Sequence, residues 1–215
     1  MLEPLALREA EPPGLLIVVR LGARTLEDDH LTRSVQECHA RWGIWGFSVL
    51  EVPDGDYEQL ARLRPIVTER RQLLTADGHD LINAGFPLIA TLDAPHWTVV
   101  LAAPTLDQFE RVRTLFRGPI DNPVFKHRRP VPLADVSARQ HDLWYDATTV
   151  GADLVVETWI SHGPRRDDPT FNPQPGDIVL VGDNEEPSLQ GRVIRRDQNR
   201  VWVQVNLHTA IGAVA

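Results

Sequence analysis

The sequence predicts an α+β protein in two modules. A mixed-sheet α/β sandwich, with a ferredoxin-like topology as one option, is expected over residues 14–120. A Pro/Arg-rich tether follows over 121–140, then a small, mostly β domain over 141–210 that resembles part of an SH3-like barrel. Three observations carry this. Helical stripes alternate with short apolar runs through the first half. Pro119, Pro123, Pro130 and Pro132 then crowd around Lys126-His127-Arg128-Arg129, a composition suited to an extended tether. Beyond Pro175-Gly176-Asp177 the pattern turns to period two, with Val201, Val203 and Val205 set against Trp202 and Gln204.

Leu15–Arg20 reads as a strand buried on both faces. Thr25 with Asp28 has the spacing of a capping box, and Leu31, Val35, Cys38 and Trp42 then fall on one helical stripe that Gly43 stops. Phe47–Val52 is a second strand. Asp56 and Gln59 open a short helix that Pro65 ends or kinks. A strand is expected near Gln72–Thr75. Asp77 then caps a short helix that Gly85 closes. Phe86–Leu92 and Trp97–Ala102 form a hairpin around the loop Asp93-Ala94-Pro95-His96. Thr105 and Gln108 open a last helix, with Leu106, Phe109, Val112 and Phe116 as its stripe and Gly118-Pro119 as its end. In the second module, Asp153–Ile160, Ile178–Val181, Leu189–Arg196 and Val201–Val205 read as strands. The prolines before Ile178 mark the entrance to a small barrel too short of core to close without strands from residues 141–160.

The chain carries a net charge of −8, which weighs against a general nucleic-acid binder, since such binding rests on neutralising phosphates. Leu15–Val19 is too short to span a bilayer and has Glu9 and Glu11 before it, so a soluble, cytoplasmic protein is expected. Cys38 is the single cysteine, which excludes an internal disulfide and a cysteine zinc site. No glycine-rich phosphate loop, dinucleotide fingerprint, zinc-protease helix or nucleophile elbow is present.

Among single residues, His96 beside Asp93 has the makings of a general base with its orienting carboxylate. The plainer alternative is a turn histidine next to Pro95. Asp28-Asp29-His30 and His79-Asp80 suggest metal ligands, but acids in a first helical turn are explained by the helix dipole, so no metal or other cofactor is expected. Arg111, Arg113, Arg117, Lys126, Arg128 and Arg129 make the one sizeable basic concentration, suited to phosphate or to an acidic surface. Asp183, Glu185 and Glu186 form an acidic loop able to dock on a basic partner. Of six tryptophans, Trp42 and Trp97 are placed towards the core, while Trp144 in a connection suits an interface anchor.

Two functions follow. The first is a two-module interaction or regulatory protein that binds another protein or itself, using Arg117, Lys126, Arg128, Arg129, Asp183, Glu185, Glu186 and Trp144. The second is a small metal-independent ribonuclease or phosphoesterase, toxin-like in size, with His96 as base and an arginine as anion clamp. The acidic balance and the missing catalytic motifs favour the first.

Overall fold

The computed structural model describes residues 16–126, 141–183 and 188–211. The chain divides into two compact units. The first holds residues up to Leu63 and Arg70–Val124; the second holds Arg64–Glu69 and everything from Phe125. Arg64–Glu69, in the middle of the first module's sequence, therefore belongs to the second unit.

In the first unit, β1 (Ile17–Leu21) leads to α1 (Asp28–Trp42) and β2 (Gly46–Glu51). α2 (Tyr57–Leu63), β3 (Gln72–Asp77) and α3 (Gly78–Asn83) follow. β4 (Leu88–Ile89), β5 (His96–Val100), α4 (Leu106–Arg113) and β6 (Arg117–Asp121) complete it. The six strands lie in the order β4-β5-β2-β1-β3-β6. Every described pairing is antiparallel. The mixed sheet expected from the sequence is thus corrected. A split βαβ unit of the ferredoxin type needs β1 and β2 parallel and separated by a strand. Here they are direct antiparallel neighbours, with Val19 opposite Leu50.

Local signals explain most helix boundaries. Asp56 accepts from the Gln59 N–H at 3.0 Å, Asp77 from the His79 N–H at 2.8 Å and Thr105 from the Gln108 N–H at 3.4 Å. Gly43 takes φ 73° and returns its N–H to His39 O, the left-handed stop that glycine adopts most cheaply. The capping box at Thr25 does not form. The Thr25 hydroxyl instead donates to Gly22 O at 3.2 Å, and Glu27 is the residue before the helix. The hairpin loop is also longer than expected, because β4 stops at Ile89.

The core lies between this sheet and helices α1 and α4. Val18, Phe47, Val49 and Val99 from the sheet pack with Leu31 and Val35 of α1 and with Phe109 and Val112 of α4. Leu106, expected on that stripe, is 63 % exposed. Arg20 is buried on the same side of β1 as Val18. Its guanidinium donates to Thr25 O at 3.1 Å, to Ser48 O at 2.7 Å and to the Ser34 hydroxyl at 2.7 Å, and lies over the Phe47 ring. A buried guanidinium is tolerable only with its donors used in this way.

The second unit contains β7 (Leu143–Trp144), β8 (Val155–Trp159), β9 (Ile178–Gly182), β10 (Ser188–Asp197) and β11 (Arg200–Ile211). Their order is β7-β9-β10-β11-β8. The sheet curls until its ends nearly meet, with the Thr158 hydroxyl of β8 donating to Trp144 O of β7. It is a nearly closed, barrel-like sheet. The row Val201, Val203 and Val205, expected on one side of its strand, is buried, and so are Val156, Val179, Val181 and Val193. Gly191 faces inwards among them, where a Cβ would come within 2.3 Å of Val203 Cγ1, so only glycine lets β10 and β11 approach this closely.

The polar stretch from Ser161 to Asn172 is built rather than loose. Arg165 reaches Asp168 at 2.6 Å and Asp142 at 3.1 Å, and lies over the Phe171 ring. Asp142 in turn accepts the Leu180 N–H of β9 at 2.9 Å, which ties this stretch to the barrel.

Candidate functional site

The outer face of β8, β11 and β10 carries a ladder of alternating rings and guanidinium groups. Along β11, Val201 and Val203 face inwards, so Arg200 and Trp202 face outwards. Register then sets their neighbours. Trp202 stands opposite Glu157 on β8 and opposite Arg195 on β10, while Arg200 stands opposite Trp159. The Arg195 guanidinium carbon is 4.4 Å from the Trp202 ring centre, and that of Arg200 is 5.1 Å from Trp202 and 5.5 Å from Trp159. The ladder ends in His162, whose ring centre is 5.7 Å from that of Trp159.

A β-bulge is what puts Arg195 there. Strict alternation from the buried Val193 would send Ile194 outwards and Arg195 into the barrel. Instead Val193 pairs with Val203 and Arg195 with Trp202, so Ile194 is an extra residue in β10. The insertion returns Arg195 to the outside and leaves Ile194 45 % exposed beside it.

The two arginines at Trp202 differ in their bonding. Arg200 donates to Glu157, whose side chain is only 6 % exposed, so this pair is part of the structure. Arg195 is exposed and, among the described residues, forms neither an ion pair nor a hydrogen bond. Nearby on this face, Arg192 donates to Gly176 O at 3.0 Å, whereas Arg196, opposite the inward-facing Val201, lies on the other side of β10 and donates to Gln198 O at 2.8 Å and Pro173 O at 2.9 Å. These are neutral acceptors that leave the cationic charge in place. The face therefore combines flat apolar rings, uncompensated positive charge and one uncommitted guanidinium.

The residues singled out from the sequence are dispersed. His96 opens β5 opposite Leu50 and is 1 % exposed, so it is no turn-tip residue. Asp93 is exposed in the loop before it, and its carbonyl accepts the His96 N–H at 3.2 Å. Arg117 lies on the exposed edge strand β6, opposite Thr75. Those three belong to the first unit, whereas Lys126, Trp144 and Asp183 belong to the second. Lys126 is exposed, its backbone N–H bonded to Thr68 O at 2.9 Å. Trp144 is 2 % exposed on β7, buried rather than at a surface, and Asp183 is 3 % exposed at the end of β9 rather than in a solvated acidic loop. Arg128, Arg129, Glu185 and Glu186 lie outside the described residues.

The first unit contains an open groove of about 560 Å³, floored by Leu26, Leu74 and Phe116 and rimmed by Asp28, Asp29 and Arg113. Arg113 is committed within it, to Leu26 O at 2.9 Å and to Asp28 at 2.6 Å. Among the described residues, no group of His, Cys, Asp and Glu is placed to hold a metal ion, and no helix is long and apolar enough to cross a membrane. Compared with known proteins, the chain matches no family model, no curated protein and no solved structure.

The ladder was half visible in the sequence. Alternation about Val201, Val203 and Val205 exposes Arg200 and Trp202 on one side of a strand. The bulge at Ile194 and the register with β8 leave no mark in composition or spacing, and without them Arg195 and Trp159 have no place on that face.

Proposed function

We propose that this chain is a two-unit interaction protein that binds another protein through the outer face of β8, β11 and β10. The observation that carries the reading is the ladder Trp159–Arg200–Trp202–Arg195 on that face. Tryptophan and arginine dominate interface hot spots because each covers a large area with few rotatable bonds and carries a polar handle. A second copy is the less favoured occupant, since two chains of net charge −8 repel. The barrel-like unit is read as SH3-like, on the short strand β9, the β10–β11 hairpin that follows it and the entrance through Pro175-Gly176-Asp177. A cytoplasmic setting is part of the same proposal, because the single cysteine, Cys38, is buried and forms no disulfide.

The test is a comparison of parent and Arg195→Ala. Proteins retained by the parent and lost by the variant are purified, and their affinities for both forms are measured directly. The expected loss is about tenfold or more. Equal affinity for parent and variant would end the proposal.

The enzyme reading, a ribonuclease or phosphoesterase with His96 as base, meets a physical obstacle. At 1 % exposure the imidazole admits no 2′-hydroxyl to hydrogen-bond range unless β5 opens. Its test is turnover of RNA by the parent that His96→Gln removes while the unfolding midpoint is unchanged.

A further inference from the structure

We infer that the ladder recognises carboxylates: the partner segment that docks on it is an acidic stretch of protein with aliphatic residues among its acids. The inference rests on the interaction reading above and adds the chemistry of the partner.

Charge comes first. On the outer face of β10 and β11 stand Arg192 opposite Gln204, Arg195 opposite Trp202, and Arg200, and Glu157 is the carboxylate bonded to Arg200. Asp197, exposed at the hairpin end, is the other acid on these strands' outer end. On a chain of net charge −8 this is a cationic island. An acidic ligand is steered to the island and away from the rest of the surface.

The form of the cation comes second. The Arg195 guanidinium rests against the Trp202 ring at 4.4 Å, which holds a planar group flat while its N–H donors remain uncommitted. An arginine held in this way has already lost much of its side-chain freedom, so less is lost on binding. Its fork of donors matches a carboxylate bidentately, which a lysine ammonium cannot do.

The third observation separates protein from nucleic acid, whose phosphates a guanidinium also fits. Trp202 already has two guanidinium groups against its ring, so its surface is partly taken up before any base can stack on it. The residue the bulge exposes beside Arg195 is Ile194, an aliphatic side chain suited to a leucine or isoleucine of a partner.

The experiment uses the full chain and three labelled probes at low salt, read by fluorescence anisotropy: octaglutamate, octauridylate RNA and octalysine. Octaglutamate is expected to bind with a micromolar Kd, to weaken as salt is added, and to weaken about tenfold in Arg195→Ala. Arg195→Lys should recover only part of that loss. Arg62→Ala, on the exposed surface of α2, should bind as the parent does. Circular dichroism checks that each variant is folded. Octauridylate binding at least as tight as octaglutamate would overturn the inference in favour of nucleic acid. Octaglutamate binding that Arg195→Ala leaves unchanged would overturn it, as would full recovery by Arg195→Lys or no octaglutamate binding at all. The two readings fail separately. If Arg195→Ala loses the purified protein partner while octaglutamate never binds, the carboxylate inference falls and the docking face stands. If neither ligand responds to Arg195→Ala, both fall.

Discussion

Two arginine-rich regions invite comparison. Around α4 and β6, Arg111 donates to Ala84 O at 3.2 Å and lies over the Phe86 ring, while Arg113 ties Leu26 O and Asp28 to the helix. On β10 and β11, Arg195 has a ring to lie on and, among the described residues, no acceptor to bind. The first region is the denser in sequence and the more obvious candidate for binding. Two of its arginines are spent on holding its own unit together. A count of basic residues measures charge, whereas function depends on which donors remain uncommitted after folding.

Substitutions sharpen this contrast between committed and uncommitted arginines. The largest effect is expected at Arg20. Arg20→Met removes the donors to two buried carbonyls and to the Ser34 hydroxyl, and should cost about 4 kcal/mol, read from the midpoint of urea unfolding. Arg200→Ala should cost about 3 kcal/mol, because it removes the cation bonded to the nearly buried Glu157 side chain. If it cost nothing, Arg200 would join Arg195 as a surface group and the division within the ladder would break. Arg113→Ala loses an exposed ion pair and one bond to Leu26 O, so about 1 kcal/mol is expected.

Acid probes the second unit without mutation. The Asp168 carboxyl is held well below its ordinary value of 3.8, first by the Thr170 hydroxyl at 2.5 Å and then by the Arg165 guanidinium. The folded state therefore releases this proton more readily than the unfolded chain does. Stability from the contact is complete above pH 3.8 and is lost as the pH falls below it. Asp168→Asn should make acid unfolding less steep in that range, followed by circular dichroism. The smallest effect belongs to Arg195→Ala, which should change stability by less than about 0.5 kcal/mol while weakening binding to the docking face about tenfold or more. A large loss of stability there would mean that Arg195 is structural after all.

The sequence carried local signals well and long-range ones poorly. Asp56, Asp77, Thr105 and Gly43 set helix ends through contacts a few residues away, so their roles were legible. So was the inward row of Val201, Val203 and Val205. Sheet order was not, because the antiparallel pairing of β1 with β2 depends on which strands meet across a helix. Trp144 shows the limit for aromatics. Its neighbours in sequence suggest a connection, yet two residues of parallel pairing with β9 bury it. His96 failed as a surface base for a similar reason: β5 begins at that residue, so pairing with β2 carries it into the sheet. Arg195 is the most instructive. Its outward position follows from one inserted residue, Ile194, and a period-two reading of β10 assigns it to the wrong face.

Hydrogen–deuterium exchange on the full chain, with and without its purified protein partner, tests the docking face most directly. Slower exchange in peptides spanning 155–160 and 192–204, with 106–121 unchanged, is the predicted result. Protection confined to 106–121 would contradict it and return the binding role to the α4–β6 arginines.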